Sequence, residues 1–99
     1  MRKIYNKRMQ SFKHKGLEKF FTKGTASGIQ SAHSKRIRLI LGRLNASIKA
    51  QDIDLPELFL HQFRGKYRGR WSVRVSGNWR ITFKFDGPDA IELDYEDYH

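Results

Sequence analysis

Residues 70–85 constrain the fold more than any other stretch, because apolar and polar side chains alternate there through two segments joined by a turn pair. Trp71, Val73 and Val75 come before Gly77-Asn78. Trp79, Ile81, Phe83 and Phe85 come after it, interleaved with Arg80, Thr82 and Lys84. A period of two sends successive side chains to opposite faces of a strand, so this is a hairpin with one apolar and one polar face. An apolar sheet face needs a covering layer, which the rest of the chain must supply.

Two amphipathic helices can do so. Leu17, Phe20 and Phe21 are spaced i, i+3, i+4 and stop at Gly24. Gly24-Thr25-Ala26-Ser27-Gly28 is a flexible connector. A second helix is expected from about Ser31 to Ala50, with Ile37, Ile40, Leu41, Leu44 and Ile48 inward and Lys35, Arg36, Arg43 and Lys49 outward. Asp52 to Pro56 breaks it. A short strand is expected at Gln10 to Lys13. Another, Leu58 to Arg64, leads into the hairpin. After the turn Asp86-Gly87-Pro88-Asp89, Ile91, Leu93 and Tyr95 complete an antiparallel meander. The expected fold class is α+β, in the order β-α-α-β-β-β, with an antiparallel sheet covered on one face by two N-terminal helices. The other face, carrying Arg74, Arg80 and Lys84, is expected to stay open and polar. Ninety-nine residues make one small domain. Residues 1–8 read as a flexible basic extension and 9–99 as the domain, with Met9 an alternative start.

Charge narrows the partners. The net charge is +10, and it is unevenly spread: residues 1–50 carry +12 and residues 51–99 carry −2. A basic half gains affinity for polyanions by releasing their counterions, so nucleic acid is the expected partner class. Acidic lipid is less favoured, because no Trp or Phe anchor lies opposite a basic helix face. No apolar run is long enough to span a membrane, and the basic N-terminus lacks the apolar region of a signal peptide, so the cytoplasm is the expected compartment. With no cysteine there is neither a disulfide framework nor a thiolate site.

Three constellations could carry chemistry. Arg80, on the polar face of a central strand, offers a rigid fork for phosphate; an ion pair with Glu92 or Asp94 is the alternative. His61 and Arg64 precede Gly65-Lys66-Tyr67-Arg68-Gly69-Arg70. There, glycines bracket a basic, aromatic stretch suited to a phosphate chain or to an ordinary charged loop. Asp97, Tyr98 and His99 put two bases and a stacking ring together; a frayed polar terminus is the bland alternative. RNA carries its own nucleophile, the 2′-hydroxyl. Cutting it takes a base, cations near the phosphorane and an acid for the leaving oxygen. These residues suffice without a metal or cofactor. A metal bound by His61, His99 and Asp97 is a weaker reading, because the spacing of a metal motif is missing. His14 and His33 read as surface residues, and Trp71 and Trp79 as core.

Five segments in this order resemble the RelE superfamily of bacterial toxins, in its HigB-type branch of ribosome-dependent mRNA interferases. They are Ser11-Phe12-Lys13-His14-Lys15-Gly16-Leu17, Leu60-His61 with Arg64-Gly65, Trp71-Ser72-Val73, Gly77-Asn78-Trp79-Arg80-Ile81-Thr82-Phe83, and Tyr95-Glu96-Asp97-Tyr98-His99. The resemblance implies the compact RelE-like fold and a type II toxin that cuts mRNA in the ribosomal A site by metal-independent 2′-hydroxyl attack. It implies a cognate HigA-type helix-turn-helix antitoxin and the 70S ribosome as partners. By position it implies a catalytic set of His61, Arg64, Arg80, Asp97, Tyr98 and His99. Arg64 stands where the family usually has lysine, so it stabilises charge and cannot donate a proton at neutral pH. Lys35, Arg36, Arg43, Lys66, Arg68 and Arg70 are the expected RNA- and ribosome-binding cations. Two rival readings are a non-enzymatic basic RNA-binding module and a gyrase-inhibiting toxin on the same fold.

Overall fold

The structure, a computed structural model, describes residues 11–98. The expected extension at residues 1–8, Gln10 and His99 lie outside the described residues. Helix α1 (Lys15–Lys23) starts at His14, whose Nδ1 accepts the Leu17 N–H at 3.0 Å. That bond satisfies one of the orphan donors of the first turn. His14 is therefore a half-buried helix cap rather than a surface residue. Leu17 and Phe20 are buried, and the Gly24 N–H closes the helix on the Phe20 carbonyl. Gly28, in the expected flexible connector, lies against the backbone of Gly16. A Cβ on Gly16 would come within 2.5 Å of the Gly28 carbonyl oxygen. The connector is thus docked on the first turn of α1 at a place only glycine fits.

Helix α2 (Ser34–Asn45) buries Ile37, Ile40, Leu41 and Leu44 as expected. It ends about a turn early. The Ser47 hydroxyl bonds back to the Arg43 carbonyl, and an Asp52 carboxylate oxygen takes the Ile48 N–H at 3.0 Å. Ile48 is consequently 51% exposed, and Ile53, in the 3₁₀ turn Ala50–Ile53, is buried in the core.

Four strands follow: β1 (His61–Gln62), β2 (Arg70–Ser76), β3 (Trp79–Asp86) and β4 (Asp89–Asp97). They form one antiparallel sheet in the order β1-β2-β3-β4. Of the expected first strand, the described residues 11–13 form a parallel bridge from Phe12 to Leu93 on the outer edge of β4, with the Lys13 N–H donating to the Leu93 carbonyl and the Leu93 N–H to the Ser11 carbonyl. Beside this bridge Glu92 takes a left-handed conformation (φ 53°) at a bulge of β4. The expected strand 58–64 shrinks to two residues. Leu58 belongs to the 3₁₀ turn Pro56–Leu58, and Phe59 takes a left-handed conformation (φ 49°) that strand geometry does not pass through. The fold class stands, with the leading strand reduced to a bridge.

Leu17, Ile37, Ile40, Leu44, Ile53, Val73, Ile81, Phe83 and Leu93 fill the core between helices and sheet, with Trp71 and Trp79 packed against it. Full burial of one such aliphatic side chain contributes about 1.5–3 kcal/mol. The bulge in β4 changes one member of the apolar face. Ile91 pairs with Lys84 on the polar side, and Ala90, opposite Phe85, is buried.

The backbone contact and the open helix position give opposite expectations for two glycines. Gly28→Ala is expected to lower stability by about 1–3 kcal/mol, as overpacking does. Gly42→Ala, in α2 with nothing near its missing Cβ, is expected to raise it by about 0.5–1 kcal/mol. Urea unfolding midpoints of the two variants check both signs.

Candidate functional site

The sheet face away from the helices is not simply open. Residues 59–68 fold over it and leave a cleft of about 620 Å³ against β2, β3 and the end of β4. His61, Arg64, Arg80 and Tyr98 all line this cleft. Four of the six expected catalytic residues, from three separate segments, therefore share one cavity.

Each is held differently. His61 sits in β1 opposite Ser72, exposed, with its ring 5.7 Å from that of Phe63. Arg64 is exposed just before the 3₁₀ turn Gly65–Tyr67. Arg80 is half-buried, and its Nη1 donates to the Gly77 carbonyl at 2.9 Å and the Trp79 carbonyl at 3.3 Å. Bonds to neutral carbonyls orient the guanidinium without neutralising it. The Tyr98 N–H donates to the Asn78 carbonyl at 2.9 Å, which carries the strand ladder one residue past β4. The tail is thus held to residue 98 rather than frayed. Burial, and then the nearby Glu96 carboxylate, raise the Tyr98 phenol above its ordinary pKa, so it stays neutral and able to donate.

Asp97 is placed elsewhere. It pairs with Trp79, a residue of the helix-facing side, so alternation directs it away from the face that carries Arg80 and Tyr98. His99 lies outside the described residues.

The expected binding cations also divide. Lys35 and Arg43 are exposed on α2, with Arg43 Nε donating to the Asp52 carbonyl; Arg36 donates to the Glu57 carbonyl. Lys66 and Arg68 are exposed beside the cleft. Arg70 is turned inward, its side chain 13% exposed. It bonds Glu92 Oε1 at 3.0 Å and Thr82 Oγ1 at 3.0 Å, and Thr82 donates to Glu96 at 2.7 Å. This chain of bonds accounts for the full burial of Thr82 on the face expected to be open. It also answers the Glu92 half of the alternative considered for Arg80, because Glu92 pairs with Arg70; an Asp94 carboxylate oxygen accepts the Tyr95 N–H.

The sequence reading named Tyr67 and Tyr98 but left out Phe59 and Phe63, which complete the apolar walls. Phe63, Tyr67 and Tyr98 form one aromatic group, with ring separations of 6.4 Å from Phe63 to Tyr67 and 5.9 Å from Phe63 to Tyr98. Phe59 and Leu60 add to the lining. The available signal was an aromatic at every few positions of an otherwise polar segment.

Tyr95 fixes the end of β4 from the other side. Its hydroxyl is 2.6 Å from Nδ1 of His33, and its ring stacks at 4.6 Å from that of Trp79 and edge-on to His14. His33 is 7% exposed, so it is a buried partner of Tyr95 and not the surface histidine expected. The partner is 62 residues away in sequence.

Comparison with known proteins identifies the family of the chain. The family described as the RelE-like toxin of the type II toxin-antitoxin system HigB matches residues 10–99. The chain is also similar to the Endoribonuclease HigB of Proteus vulgaris, at 41% identity over 91 residues, covering 92% of this chain and 99% of that one.

Burial raises the Tyr95 phenol above its ordinary value of 10.0. Because the folded pKa lies above the unfolded one, the neutral phenol's contribution is complete below pH about 10 and is lost as pH rises through the folded pKa. Urea midpoints measured from pH 8 to 11 should therefore fall less steeply on the alkaline side for Tyr95→Phe than for the parent chain.

Proposed function

Because the chain belongs to the HigB family of RelE-like toxins from type II toxin-antitoxin systems, we propose that the cleft beneath Tyr98 is where it cuts RNA. It is a toxin with endoribonuclease activity, and its family implies an antitoxin partner. The finer reading is a ribosome-dependent mRNA interferase that acts in the A site of the 70S ribosome and is restrained by a HigA-type helix-turn-helix antitoxin. The observation that carries the site is the convergence of His61, Arg64, Arg80 and Tyr98 on one cavity.

The chemistry follows from the groups present. A base takes the proton of the 2′-hydroxyl, and the oxygen attacks the adjacent phosphorus. The phosphorane gathers negative charge, which Arg64 and Arg80 stabilise. The P–O5′ bond breaks as an acid protonates the departing oxygen, leaving a 2′,3′-cyclic phosphate and a 5′-hydroxyl. His61 is the cleft's imidazole among the described residues, and His99 is the second in sequence. The two divide acid and base work, with Asp97 supporting the tail. Neutral Tyr98 stacks on or orients a base, backed by Phe63. Lys66 and Arg68 at the rim, with Lys35, Arg36 and Arg43 on α2, supply salt-sensitive attraction to ribosomal and messenger RNA.

Three outcomes test this reading. Brief induction followed by mapping of mRNA 5′ ends should show cuts within translated codons, with fragments bearing 5′-hydroxyl groups. Arg80→Ala should reduce cutting by about 10²–10³-fold with its melting curve intact. His99→Ala should abolish growth arrest and leave the fold unchanged. Growth arrest and message cutting that persist in His99→Ala would refute the site, and salt-sensitive RNA binding without new 5′ ends would favour a binding module.

A further inference from the structure

A second surface lies between α2 and the far end of β2. Two adjoining hollows, about 420 Å³ and about 360 Å³, share Arg36, Val75 and Ser76. One is walled by Lys35 and Leu39 of α2, the other by Phe59 and Arg74. Together they make one groove that passes Arg36.

Three features of this groove point to the same occupant. Leu39 is 47% exposed and Phe59 61%, although both are large and apolar. Apolar groups at this exposure mark contacts with protein more than with the phosphate backbone of RNA. The charged side chains around them are mostly cationic: Lys35, Arg36 and Arg74, with Glu57 the acid. Arg36 is oriented by the Glu57 carbonyl, and the Arg74 guanidinium sits 5.3 Å over the Phe59 ring, so two of these charges are fixed in place. Finally, β1 pairs with β2 only at Trp71 and Ser72. Beyond Ser72, β3 is the one strand beside β2 among the described residues. The 3₁₀ turn Pro56–Leu58 packs beside this part of β2 without a strand ladder, and apolar pockets next to a strand outside any ladder accommodate a segment of another chain.

We infer that this groove is the docking site for an acidic, apolar-anchored segment of the antitoxin, which binds toxin there by filling the Leu39 and Phe59 hollows and pairing its carboxylates with Lys35, Arg36 and Arg74. The inference rests on the family's antitoxin partner and not on the assignment of catalytic residues. Charge complementarity selects the chemistry of the segment, because the groove of this chain of net charge +10 sets Lys35, Arg36 and Arg74 beside exposed apolar side chains.

The test uses the antitoxin encoded beside the toxin gene, co-expressed and also purified for binding. Leu39→Glu places a like charge in the groove and removes an anchor; Ser76→Trp fills it. Both positions are exposed and outside the cleft. Each variant is expected to arrest growth as the parent does, to escape rescue by the antitoxin, and to bind it about 30-fold or more weakly. Since the chain has no cysteine, Ser76→Cys carrying a photo-crosslinker gives a single labelled site, expected to capture an acidic peptide of the antitoxin. That measurement decides the question if either of the other variants fails to fold. Unchanged rescue and affinity, or a crosslink absent from the antitoxin, overturns the inference. So does loss of growth arrest with antitoxin binding intact, which would give the groove to RNA. Binding and crosslinking are read without cleavage, so an error in the nuclease site would leave their result standing.

Discussion

Burial of one sheet face against α1 and α2 is the constraint on which everything else depends. The apolar alternation of β2 and β3 permits only one way up, because a slip of one residue would turn Val73, Ile81 and Phe83 into water. Once that face is inside, Arg80 has to be outside, with Ser72 and Thr82 on its side of the sheet. The cleft is then completed by whatever covers the second face. The cover here is the irregular segment 59–68, and it brings His61, Arg64 and the Phe63 and Tyr67 rings with it.

Holding so many polar groups on a partly covered face has a physical cost, met by the chain of bonds through Arg70, Thr82, Glu92 and Glu96. A buried hydroxyl without a partner would be unfavourable by about 1–3 kcal/mol; Thr82 both accepts and donates. The same bonds leave Arg80 without a carboxylate of its own in this network, held by backbone carbonyls and positively charged toward the cleft. One arginine is used to stabilise the sheet and the other lines the cleft. Sequence alone does not separate these roles, because both lie on the same face of neighbouring strands.

What was legible in the sequence followed from period and punctuation. The β2–β3 hairpin, the inward stripe of α2 and the Gly24 stop were readable because each is set by neighbours a few residues away. What was not legible depends on distant partners or on single backbone angles. His33 is buried because Tyr95 reaches it, and Phe59 stays outside the strand expected there because its φ is 49°. Ile91 leaves the apolar face because of the bulge at Glu92. Within the site, His61, Arg64, Arg80 and Tyr98 were legible as chemically suggestive residues and through the family resemblance. That Asp97 alternates to the other face emerged only from the register of β4 with Trp79.

The central claim is that the cleft organises attack by the RNA's own 2′-hydroxyl, and it is tested most directly by altering that oxygen. Ribosomes programmed with message carrying a single 2′-deoxynucleotide 5′ to the scissile phosphate, beside the all-ribose message, should be cut only when the hydroxyl is present. Equal cutting of both messages at that phosphate would contradict the account, because the nucleophile would then have to come from somewhere other than the substrate.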